Sequence, residues 1–292
     1  MLRLSLLLLW IAQAPTLQID APPTLASEKS RMEAIDRTRL DEVVRLMGLK
    51  NPGPPIQIEL ASAASELARA VDPWIAGFAQ QDKVVIFPSR SPSYPDRTID
   101  DVLRHEVAHA LIWRASAGRP VPRWFNEGLA MAAERPRFRD QTQLFLQLAS
   151  GSTVSFHELD RLFDGGKTDQ SRAYLLSRAV VRDLLNKHGE DSGGRILDQM
   201  GRGASFETAF RDIIGTSTTT AEGNFWNSQR AWTTWLSILS SQETLWMAIT
   251  ILAILAIWRK RRRAAALRKQ WDEEEALEQA ALQHDERDGE ID

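Results

Sequence analysis

The segment His105-Glu106-Val107-Ala108-His109 carries two imidazoles four positions apart, with a carboxylate beside the first of them. On an α-helix positions i and i+4 share a face, so both rings can reach one metal ion. Glu106 then stands next to that ion without having to bind it. A zinc ion held there would make water easier to deprotonate and would polarise a substrate carbonyl, which leaves Glu106 placed as the general base. Two histidines do not complete a tetrahedral site, and neighbouring turns of the same helix cannot supply the third ligand while keeping a position open. Glu127, within Trp124-Phe125-Asn126-Glu127-Gly128-Leu129-Ala130, is the candidate third ligand. It lies one turn into a second helix, which the turn Gly118-Arg119-Pro120-Val121-Pro122 would fold back against the first. The chain has no cysteine, so thiolate ligands, disulfides and a cysteine nucleophile are excluded together.

The elements that must position these groups follow from periodicity and breakers. The first histidine helix is expected from about Ile99 to Ala117, with Thr98 as N-cap and Asp100 and Asp101 in its first turn. The second runs from about Arg123 to Arg135, where Pro136 stops it. Upstream, residues 27–51 read as a helix or broken helix pair starting at a cap on Ser27. Ile56-Gln57-Ile58-Glu59-Leu60 alternates as a half-buried strand does, and Lys83-Val84-Val85-Ile86-Phe87 reads as a second strand. Further helices are expected at 137–150, 156–164, 170–188, 191–201, 205–214 and 221–235, with no internal repeat. Two short strands followed by mostly helices predict an α+β fold.

His-Glu-x-x-His followed by Asn-Glu-Gly-x-Ala resembles the signature of the gluzincin metallopeptidases, a peptidase MA-like group. It looks most like the catalytic domain of the membrane alanyl aminopeptidases and their smaller single-domain relatives. The resemblance covers roughly residues 70–215 and is specific in the two helices from Ile99 to Arg135. It implies a zincin-like fold with a small, mostly antiparallel sheet, an active-site helix and a mainly helical C-terminal half. It also implies Zn²⁺ as cofactor, His105, His109 and Glu127 as its ligands, Glu106 as general base and a peptide or protein as substrate. Seventeen residues separate His109 from Glu127, one fewer than usual in that branch, a difference the Gly118 to Pro122 turn can absorb. Tyr174-Leu175-Leu176-Ser177-Arg178-Ala179-Val180 is similar to the family's helix bearing a tyrosine that stabilises the oxyanion. Tyr174 is therefore a candidate for that role, or else a packing residue on an amphipathic helix. In Gly77-Phe78-Ala79-Gln80-Gln81, Gln80 stands where the aminopeptidase branch has a glutamate for the substrate's amino terminus. An amide cannot pair with an ammonium as a carboxylate does, which weighs against aminopeptidase specificity and toward an endopeptidase or a peptidase of unassigned cut. The Lys83 to Phe87 strand is expected to offer an edge to an extended peptide.

The chain ends point to export. Residues 1–19, with Arg3 ahead of the apolar run Leu4 to Ala12, read as a signal peptide or N-terminal anchor, the alternative being a buried N-terminal strand or helix. The stretch from Thr244 to Trp258 is uncharged; at about 1.5 Å per residue its 15 residues cover about 22 Å, so a span of 240–258 recruits Ser240 to Glu243 at the headgroups. The alternative is a helix-pairing segment with no membrane. The basic run Arg259-Lys260-Arg261-Arg262-Arg263 fixes the direction of a span, placing residues 259–292 in the cytoplasm and a peptidase domain of 20–230 on the extracytoplasmic face. Beside a membrane, that run is read as a topology signal and not as a nucleic-acid site. The formal net charge of −3 averages this run against the acids Asp272 to Glu275 and says little about partners. The family's small relatives are largely bacterial, which implies a periplasmic-facing domain. The competing functional reading is a membrane-tethered binding or scaffold protein with a structural zinc site. Glu134 is a weaker candidate for supporting a ligand histidine, and His157, His188 and His284 read as surface or capping residues.

Overall fold

The computed structural model describes residues 14–91, 98–133, 153–239, 246–247 and 249–263, without the side chains of 230–239. The expected helix at 137–150, the loop with Tyr94, Glu134, His284, most of the N-terminal leader and the tail from Ala264 lie outside the described residues. The chain divides into two compact units, 1–230 and 231–292.

In the first unit a four-stranded sheet is built from β1 (Leu17–Asp20), β2 (Ile56–Leu60), β3 (Gly77–Gln80) and β4 (Lys83–Ile86), in the order β1-β2-β4-β3. β1 and β2 pair in parallel, as do β2 and β4; only β3 and β4 form an antiparallel hairpin. The sheet is therefore mostly parallel, which corrects the mostly antiparallel sheet expected from the family resemblance. The parallel connections are long enough to carry helices: α1 (Ala26–Glu33) and α2 (Thr38–Leu46) between β1 and β2, and the short α3 (Glu66–Arg69) between β2 and β3. Ser27 falls inside α1 and does not cap it. The expected strand at 83–87 is interior, paired on both sides, so it is not the free edge. Among the described residues that edge is β3, which has no strand pattern of its own in the sequence. β1 was likewise hidden: it begins inside the stretch assigned to a leader, and its Ile19 is buried in the core.

Alternation sets the two faces of the sheet. Ile56, Ile58, Val84 and Ile86 point into the main core, while Val85 and Phe87 on the other face join a small cluster with Ala61 and Ala68. Against the main face lies α4 (Ile99–Ala115), closed at its start by a capping box in which Thr98 and Asp101 exchange side-chain to backbone hydrogen bonds. Val102, Leu103, Val107, Ala108, Leu111 and Ile112 are all buried, so α4 is covered on nearly every side. α5 (Arg123–Ala132) follows the turn, in which Gly118 has φ +71°. Its N-cap, Pro122, offers no side chain, and Asp160 fills the need by accepting from the Trp124 N–H at 2.6 Å. Asp160 belongs to α6 (Phe156–Leu162), which is followed by α7 (Lys167–His188), α8 (Ser192–Gly201), α9 (Phe206–Ile214) and α10 (Thr218–Leu239).

α5 crosses α7 at unusually close range. A Cβ on Gly128 would lie 2.4 Å from the Ser177 carbonyl oxygen and 2.5 Å from Val181 Cγ2, so only glycine permits the approach. The second unit has a helical backbone at 249–263, with Ile249, Ile251, Leu252, Ile254, Leu255 and Ile257 all exposed. Among the described residues no helix is long and apolar enough to cross a membrane; residues 240–245 and 248 of the expected span lie outside them.

Gly128→Ala is expected to destabilise the protein by about 1–3 kcal/mol, the usual cost of overpacking. Thermal melts followed by circular dichroism would check this, and an unchanged melting temperature would refute the tight crossing.

Candidate metal centre

α4 and α5 bring three ligand atoms together. His105 and His109, one turn apart on α4, have their Nε2 atoms 3.1 Å apart. Glu127 Oε2, from α5, lies 3.3 Å from each of those nitrogens. The imidazole rings stand nearly perpendicular, at 87° with centroids 4.6 Å apart, so both present ring nitrogens to the same point. Among the described residues this is the one group of three or more His, Asp or Glu side chains able to hold a metal ion.

The triangle can be tested against zinc. Ligand atoms about 2.0–2.1 Å from a tetrahedral ion stand about 3.3–3.4 Å from one another. The observed edges of 3.1–3.3 Å match that size. Hydrogen bonding alone does not account for the arrangement, because the buried Glu127 Oε2 finds no well-directed donor despite its two close nitrogens. The donor set, two neutral-capable imidazoles and one carboxylate with a side left open, suits zinc.

Electrostatics keep the carboxylate ready. Burial alone would raise the Glu127 pKa, but the charge on His109 and the close approach of both imidazoles overcome it and hold the carboxyl far below its ordinary range. For His109, burial pulls the pKa down, while attraction to Glu127 outweighs it and leaves the pKa raised. Glu127 is thus ionised at any pH near neutrality, as a ligand must be.

The flanking groups are also placed. Asn126 Oδ1 lies 2.7 Å from His109 Nδ1, which fixes that nitrogen as the one bearing hydrogen and directs Nε2 to the metal point. Sequence reading passed over Asn126; the signal was its place beside Glu127, where one helical turn faces the histidine helix. Glu106 is 5% exposed, and a Cβ added to Gly77 would lie 3.0 Å from Glu106 Cγ. The edge strand β3 therefore presses on the general-base candidate through a residue with no side chain. Gln80 stands at the far end of the same strand, exposed and paired in register with Lys83. Tyr174, half-buried on α7, has its ring 6.4 Å from that of His105 and 5.2 Å from Phe163. It is both packed and beside the histidines, so the two alternatives raised by its sequence are compatible. His157 and His188 are exposed, and neither is part of the triangle.

A small sheet backing a buried helix with His-Glu-x-x-His, and a glutamate returning from the next helix, define a zincin-like, metallopeptidase-type fold. Residues 39–235 match the family model of the Peptidase MA superfamily, and the chain belongs to that superfamily. No curated protein matches the chain. Members of the superfamily are typically zinc-dependent, in keeping with the His-His-Glu group.

Asn126→Ala is expected to weaken zinc binding about 10- to 100-fold, the usual effect of losing a ligand's orienting partner. Competition with a chromogenic chelator measures this, and unchanged affinity would remove Asn126 from the site.

Proposed function

We propose that this chain is a membrane-anchored zinc metallopeptidase of the gluzincin type that hydrolyses peptide bonds. The observation that carries the reading is the ligand-sized triangle of His105, His109 and Glu127, with Glu106 buried beside it under the sheet edge. Zinc, when bound, supplies Lewis acidity toward a carbonyl and makes water easier to deprotonate. Glu106 takes a proton from the attacking water and passes it to the departing amine, so the products are one carboxylate and one free amine. The hydroxyl of Tyr174 donates to the carbonyl oxygen as charge develops there, which its position beside His105 supports. The free edge of β3 hydrogen-bonds an extended peptide in line with Glu106, a role that the strand pattern assigns instead to the interior strand β4. Gln80 offers no carboxylate to a substrate's amino terminus, which argues against the aminopeptidase specificity of the family branch the motifs resemble.

The exposed apolar residues at 249–258 and the Arg262 guanidinium 4.1 Å over the Trp258 ring support a bilayer as the surface that covers the second unit. In that reading residues 240–258 span the membrane, 259–292 are cytoplasmic, the catalytic domain faces outside, and residues 1–13 belong to a cleaved or retained leader.

Glu106→Gln should bind zinc like wild type but lose at least a hundredfold in peptide hydrolysis. Tyr174→Phe should lower kcat by about 10²–10³ with little change in zinc content. Equal hydrolysis by wild type and Glu106→Gln, both zinc-loaded, would overturn the enzyme reading in favour of a structural site. The full chain should remain with membranes after carbonate washing, whereas a chain ending at residue 239 should be released; full extraction of both would refute the anchor.

A further inference from the structure

One hydrogen bond ties the loop ahead of β3 to the first turn of α7. The Trp74 Nε1–H donates to Gln170 Oε1 at 3.0 Å, and Gln170 Nε2 donates in turn to the Gly165 carbonyl at 3.1 Å. The partners are 96 residues apart, so the contact joins two separate parts of the fold. Both are half-buried, which places the contact at the rim and not in the core.

Each end stands close to a group of the proposed reaction. Trp74 is three residues before Gly77, the residue pressed on Glu106, and three residues reach at most about 10 Å. Gln170 is one helical turn, about 6 Å, before Tyr174, whose ring adjoins His105. β3 and α7 thus flank the metal triangle, and this strut ties them together on one side of the space that an extended substrate would use as a groove.

The strut is anchored on both banks. Arg90 donates to the carbonyls of Ala68, Asp72 and Ile75 at 2.6, 3.0 and 3.1 Å, and its guanidinium sits 4.6 Å over the Phe87 ring. The segment that carries Trp74 is thus pinned to the sheet. On the other bank the Gly165 carbonyl holds the Gln170 amide in the orientation that accepts from the indole. An indole and an amide fixed in this way form a tie, among the described residues, between the loop ahead of β3 and the start of α7.

The direction of the substrate decides which of its ends meets the barrier. β3 runs away from Trp74, and a peptide added antiparallel to it, the more stable sense of pairing, runs toward Trp74. We propose that the Trp74–Gln170 strut closes the groove beyond the scissile bond, so that the enzyme releases short fragments of up to about three residues from the carboxyl end of its peptides, given about 3.3 Å per extended residue. The proposal rests on the peptidase reading above and adds the position of the cut.

The test uses the zinc-loaded full chain and peptides of ten residues or more, either N-acetylated or C-amidated and extended, with products read by mass spectrometry. Wild type should trim one to three residues from the carboxyl end and tolerate N-acetylation. Trp74→Ala and the milder Gln170→Ala, both checked for cooperative melting, should add internal cuts at least tenfold faster than wild type. As a readout without turnover, labelled peptides should bind Glu106→Gln at least tenfold more tightly once Gln170→Ala is added, when their carboxyl ends are blocked by a bulky extension. Internal cuts by wild type, trimming from the amino end, or product lengths unchanged by both variants would overturn the strut proposal alone. No hydrolysis of any peptide by zinc-loaded wild type would overturn the peptidase reading itself.

Discussion

Three polar atoms from two helices, held 3.1–3.3 Å apart in a protein interior, impose the central demand on this fold. Imidazole and carboxylate groups so placed lose their hydration, and burial of that kind is tolerated only when the groups find compensating charge or coordination. Two short distances along the chain meet part of the demand. One helical turn aligns His105 with His109, and the turn ending at Pro122 returns Glu127 to the same level. The rest must come from whatever fixes the second helix in azimuth and depth.

That fixing is shared by contacts that look unrelated in sequence. Asp160 closes the start of α5 where Pro122 cannot, which sets the helix along its axis. Gly128 lets α5 settle against the backbone of α7 at Ser177, which sets its depth and also brings Tyr174 to the histidines. Arg182 adds a tie at the other end by donating to the Ala132 carbonyl at 2.7 Å. A helix held at its start, middle and end has little freedom to move the Glu127 carboxylate away from the imidazoles.

The sheet contributes a rigid wall more than chemistry. Its interior strands β2 and β4 pair in parallel, and α4 lies against β3 and β4 with most of its length buried, His105 and Glu106 included. The hairpin that adds β3 puts a backbone edge with no strand partner among the described residues, and a residue without a side chain, over Glu106. A metal helix, a wall behind it and a free edge above it are sufficient parts for a site that handles an extended chain. The second unit carries an apolar helix whose exposed side chains gain nothing from water.

The helix with His105 and His109, its cap at Thr98, the return of Glu127 and the α+β class were all legible in the sequence. Each is set by residues within a few positions of one another, so periodicity, capping and motif spacing record it. The sense of the sheet, the strands β1 and β3, the partner of His109 and the reason for Gly128 were not legible. A four-residue strand such as Gly77–Gln80 has no local signature, and whether it pairs parallel, antiparallel or at an edge depends on hydrogen bonds to segments that the local pattern does not mention. Sequence alone thus determined which atoms could hold a metal and take a proton. Only the tertiary structure decided which backbone edge lies over them and which residues tie the approach to that edge to α7, because both depend on contacts between residues as far apart as Trp74 and Gln170.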